Sequence, residues 1–116
     1  MNIRDVEKTA IVDIAGNAMS QSELELMQEL FEQKASGCRI AINLKNVDYI
    51  TDDFIKLLKR YANEKKLSLF GLNNDIYLML FITRSDKYAD IYLDEQDFMQ
   101  NKNVIVHRRL KLLKSA

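Results

Sequence analysis

The sequence contains no proline and no tryptophan, and only three glycines, one cysteine and one histidine. Without proline or any low-complexity stretch there is no candidate linker, so the 116 residues read as one domain. The lone cysteine, Cys38, excludes an internal disulfide and favours a reducing, cytoplasmic setting. One His and one Cys do not assemble a typical structural zinc site, and no metal or cofactor is expected. Gly16, Gly37 and Gly71 lie too far apart for a phosphate-cradling loop or a dinucleotide fingerprint. The longest apolar run, residues 76–82, is too short to cross a bilayer. The first residues have no long apolar core behind a basic start, so no secretory signal peptide is expected.

What is present balances overall and is uneven locally. There are 17 Lys+Arg and 17 Asp+Glu, and zero net charge gives no global reason to bind nucleic acid. Residues 1–101 carry a net charge of −5, and residues 102–116 carry +5 from Lys102, Arg108, Arg109, Lys111 and Lys114. The basic segment is read as packing Leu110, Leu112 and Leu113 on the domain while its cations offset the acidic body. Contact with an anionic membrane is the less favoured alternative. His107 reads as a solvated residue of that segment, and Cys38 as a strand residue near the core.

Strand-like and helix-like stretches alternate. Residues 3–6 and 9–15 read as two strands joined by a tight turn near Glu7-Lys8. Ser20 and Glu23 form a capping box ahead of a helix carrying Leu24, Met27, Phe31 and Ala35, with Gly37 at the left-handed position past its end. Residues 38–44 are a strand, and a second helix spans about 52–65, with Phe54, Leu57, Leu58, Tyr61 and Ala62 on its apolar stripe. Residues 67–71 make a short buried strand. The run at 74–83 fits strand or helix, and a cap at Asn73, Asn74 or Asp75 favours helix. A strand at 89–93 and a helix at 94–100 follow. Residues 104–113 are predicted helical, with a strand at 104–106 as the alternative. Alternation predicts an α/β fold: a mixed sheet with a parallel core, one antiparallel N-terminal hairpin edge, and about four or five helices.

The stretch IAINLKNVDYITDDFIKLL, residues 40–58, resembles the central segment of STAS domains, the fold of bacterial anti-sigma-factor antagonists. In that family a buried strand leads into a loop of the form hydrophobic-Asp-Ser-Ser-Gly-Leu that opens a helix. Thr51 then falls at the Asp, Asp52 at the first Ser, and Asp53 at the second Ser, the phosphoacceptor. Phe54 falls at the Gly and Ile55 at the Leu. Gly16-Asn17-Ala18-Met19 resembles the turn after the family's second strand, and order and spacing agree over residues 3–100. The resemblance implies a regulatory, non-enzymatic protein-binding module. Its partner would be an anti-sigma factor that is also a kinase, or an ATPase subunit for members serving transport. A small-ligand or lipid-binding module is the alternative from another class.

The chain departs from the family at the switch itself. A phosphate adds about −1.5 to −2 charge to the family's Ser, whereas Asp53 places a fixed carboxylate there. Asp52 and Asp53 are explained either as acids favoured at any helix start or as a permanent imitation of phosphate. Adjacent acids at a helix start point in different directions, so a catalytic acid/base pair is not expected. The expected partner surface is Tyr49, Thr51, Asp52, Asp53 and Phe54, with Lys56, Lys59 and Arg60 on the helix that follows. The helix at 74–83 is apolar all round, so Tyr77, Leu80 and Phe81, or the opposite set, are expected to stay exposed and to support self-association as a homodimer.

Overall fold

The computed structural model describes residues 1–34 and 37–100. Ala35 of the predicted first helix and the basic segment from Lys102 onward, including His107 and the element predicted at 104–113, lie outside the described residues.

The chain begins with a hairpin. Strands β1 (Asn2–Val6) and β2 (Thr9–Asp13) pair antiparallel, with Val6 opposite Thr9. Glu7 and Lys8 both take left-handed backbone, φ 49° and 67°, as the tightest hairpin turns require. Then come α1 (Gln21–Gln33), β3 (Arg39–Asn43), α2 (Asp52–Tyr61), β4 (Lys66–Phe70) and α3 (Asn74–Ile82). A 3₁₀ turn (Ser85–Tyr88), β5 (Asp90–Tyr92) and α4 (Glu95–Met99) complete the order. The sheet runs β1-β2-β3-β4-β5, and all pairs after the first are parallel. This is the predicted α/β architecture. Because the strands are added in one direction, right-handed crossovers put successive helices on one face.

That face holds the main core. Val12, Ile40, Ile42, Leu67, Leu69 and Ile91 of the sheet meet Met27 and Phe31 of α1, Phe54 and Leu58 of α2, and Ile76 and Leu80 of α3. The capping box forms as predicted: Ser20 Oγ accepts from Glu23 N, and Glu23 Oε1 accepts from Ser20 N. Tyr61 joins α2 to α1, packing edge-on to Phe31 and donating its hydroxyl to Glu32 Oε1 at 2.9 Å. Helix α2 stops earlier than predicted. The chain turns at Tyr61, whose carbonyl accepts from both Glu64 N and Lys65 N, and Lys65 Nζ reaches the Lys34 carbonyl at 2.6 Å. Cys38 lies half-buried at the entry to β3.

The second face is covered by α4 over a smaller cluster of Ile11, Ala41, Phe70, Tyr92 and Phe98. Arg4 clasps α4 to the hairpin. Its guanidinium donates to both Asp13 oxygens, at 2.6 and 2.9 Å, and to Glu95 Oε1 at 2.6 Å. Asn43 Nδ2 adds a bond to Asp13 Oδ1 at 2.8 Å. The Arg4 hydrogen bonds hold the Asp13 carboxyl below its usual range, against the opposing effect of burial. A carboxyl lowered in this way contributes stability above its unfolded pKa, and the contribution is lost as pH falls through the lower folded value. Asp13→Asn is therefore expected to lower the melting temperature at neutral pH. It should also flatten the fall in melting temperature below about pH 4. Thermal melts of both proteins across that range measure the difference.

Candidate functional site

Three loops meet at the carboxyl ends of the parallel strands, and hydrogen bonds lock them together. Asp48 N donates to the Asn17 carbonyl at 2.7 Å, joining the loop after β3 to the loop after β2. Asn73, the N-cap of α3, accepts from Ile76 N at 2.8 Å through Oδ1. Its Nδ2 donates to the Asp48 carbonyl at 3.0 Å. Gly71 makes the close approach possible: its φ is +76°, and a Cβ there would stand 3.0 Å from Lys45 N and Cβ. Only glycine accepts both the backbone and the contact.

The loop after β3 buries Val47 and Ile50 and leaves Asp48 and Tyr49 exposed. It ends at Thr51, the N-cap of α2, whose Oγ1 accepts from Phe54 N at 3.3 Å. The cap is thus the threonine hydroxyl and not either acid. Asp52 and Asp53 occupy the first helical turn, both exposed, where the positive end of the helix dipole favours them.

Sequence reasoning placed eight residues on this surface, and six of them are exposed: Tyr49, Asp52, Asp53, Lys56, Lys59 and Arg60. Thr51 is half-buried by its capping role. Phe54 is the correction: it is fully buried in the main core. Positions 54, 57, 58 and 61 share one helical stripe, and that stripe faces the sheet. Phe54 therefore does not sit where a partner's backbone would approach. Asp53, Lys56 and Arg60 instead line a groove of about 200 Å³ against Gln21, Glu25 and Gln28 of α1.

The self-association set needs correction too. Tyr77 and Leu80 are buried in the core, and Phe81 is half-buried. The outward face of α3 carries Leu78, Met79 and Ile82, which are 57, 42 and 70% exposed. A helix with no polar face has no phase to read. The packing chose the side that the sequence left open. The sequence reading also missed Asn73 as the clasp between loops. Its capping position was visible, but its second bond, to a carbonyl 25 residues earlier, left no local sign.

Among the described residues no group of His, Cys, Asp and Glu is arranged to hold a metal ion, and no helix is long and apolar enough to cross a membrane. No protein-family model and no curated protein matches the chain. Solved structures do match. One is an anti-sigma-factor antagonist (STAS) domain protein from Planctomyces limnophilus, with TM-score 0.72 and 17% identity, covering 87% of this chain and 95% of that one. A second, from Thermotoga maritima and described as an anti-sigma factor antagonist, has TM-score 0.64 and 17% identity, covering 86% and 92%. The fold is the STAS-domain fold that these structures share.

Proposed function

We propose that this chain is a regulatory module that binds a protein partner through the loop after β3 and the start of α2, and that its negative charge there is permanent. The carrying observation is the pair Asp52–Asp53. Both carboxylates are exposed in the first turn of α2, on the rim of three interlocked loops. No hydroxyl stands at either position, so Ser phosphorylation does not switch them. A carboxylate carries less charge than a phosphate, and two adjacent ones approach its charge of about −1.5 to −2.

The burial of Phe54 bears on how the family motif maps here. A core phenylalanine corresponds to the motif's Leu better than to its Gly. That shift of one place sets Asp53 at the Gly and moves the phosphoacceptor position from Asp53 to Asp52. Either register leaves a fixed carboxylate at the switch position. The flanking cations Lys56, Lys59 and Arg60 give the surface a mixed pattern, which selects partners by complementary charge.

The test is affinity capture from the source organism, with captured proteins identified by mass. The parent chain is expected to retain a specific partner that Asp52→Lys/Asp53→Lys does not retain. Equal capture by both would reject the loop as the binding surface. The identity of the partner then separates a sigma-regulating kinase from an ATPase subunit.

A further inference from the structure

The end of the sheet opposite these loops carries a second feature. Strand β5 pairs with β4 only from Ser68 onward, where Ser68 stands opposite Asp90. Before Asp90 the chain turns away into the 3₁₀ turn that holds Lys87 and Tyr88. Lys66 and Leu67 at the start of β4 therefore have no partner from β5. The divergence leaves an open cleft of about 490 Å³ at the edge of the sheet, between the start of β4 and the 3₁₀ turn, within the range of roughly 300–1,000 Å³ usual for small-molecule sites.

Its lining is basic in an otherwise acidic body. Arg39, Lys65, Lys66 and Lys87 line it, with Asp90 as the one acid among the described residues. Arg39 and Lys66 are register neighbours on adjacent strands, about 4.8 Å apart. Arg39 is already engaged on this side, its guanidinium 4.2 Å over the Phe98 ring. Neither Lys66 nor Lys87 forms an ion pair among the described residues. Ser68 and the rings of Tyr88 and Tyr92 supply a hydroxyl and flat surfaces in the same cavity. Lys87 Nζ lies 5.4 Å from the Tyr88 ring centre, and Arg39 bonds the Tyr92 hydroxyl at 3.4 Å.

We infer that this cavity binds a small phosphorylated molecule, its phosphate held between Lys66 and Lys87 beside Arg39. The phosphate oxygens match lysine and guanidinium donors. The recess favours a small ligand over a membrane. None of the exposed large apolar side chains of the described residues lines it, and a membrane-seated surface requires such side chains beside the cations. Lying at the amino ends of the strands, the site leaves the carboxyl-end loops open to a partner at the same time.

Titration of the full chain with inorganic pyrophosphate, followed by amide NMR shifts, tests this. Saturable shifts are expected around Lys66, Ser68, Lys87 and Asp90. Lys66→Gln/Lys87→Gln should weaken binding by about tenfold or more, the size expected for lost charge-assisted bonds. Lys87→Gln alone, in an exposed turn, should weaken it measurably in a chain whose folding is undisturbed. Lys8→Gln in the hairpin turn, outside both the cleft and the partner surface, should bind as the parent does. Shifts that do not saturate, an equal loss in Lys8→Gln, or a response only to phosphatidylserine vesicles or to polyglutamate would each overturn the assignment.

Discussion

Replacing Phe54 with alanine is expected to cost about 3–5 kcal/mol of stability. The side chain is fully buried in the main core, on the stripe it shares with Leu57, Leu58 and Tyr61. Its removal takes away apolar burial and leaves a cavity beneath α2 that the sheet cannot collapse to fill. A domain of this size has about 5–15 kcal/mol in total, so the variant sits near the edge of folding. Urea titration should show a lower midpoint with an unchanged slope. Asp53→Ala in the same assay should cost no more than about 1 kcal/mol, the worth of one acid in the first helical turn. A cost for Phe54→Ala as small as that would mean the ring faces outward. The motif's glycine would then be the better match for it after all.

The second large effect concerns binding. Asp52→Lys/Asp53→Lys is expected to weaken partner association by at least about tenfold, or 1.4 kcal/mol. Facing a cationic partner surface, the change turns an attraction into a like-charge contact, and such contacts cost up to several kcal/mol. The parent's affinity should fall as salt rises, because exposed charges are screened over about 8–10 Å at ordinary ionic strength. The double variant should lose that dependence. Its fold should persist, since Thr51, and not either acid, caps α2. Asp52→Asn/Asp53→Asn separates charge from shape. It keeps size and polarity, and an intermediate loss is expected. Affinity unaffected by both changes would mean that the acids serve only the helix.

Local chemistry in the sequence foretold much of the frame. Ser20 and Glu23 wrote the start of α1, and both of their bonds are present. Glu7-Lys8 marked the hairpin, and Gly37 takes the expected left-handed backbone at φ +83°. Phe54 shows where two kinds of sequence evidence disagreed. Helical spacing put it on the apolar stripe, whereas the family motif put it on the partner surface, and packing sides with the spacing. The apolar character of α3 gives no phase, so the sequence does not separate Tyr77, Leu80 and Phe81 from the opposite set, and packing buries Tyr77 and Leu80. The long-range groups were beyond any local pattern. Arg4 meets Glu95 across 91 residues. The basic cavity gathers Arg39, Lys66 and Lys87 from three elements that only the sheet register brings together.

Hydrogen exchange of the chain alone and with its captured partner measures the central claim most directly. Amides of residues 47–56 are expected to slow on binding, together with those near Asn17 and Asn73, while the exposed face of α3 keeps its free rate. Protection confined to α3 or to β1, with the loop before α2 exchanging as fast as in the unbound chain, would contradict it.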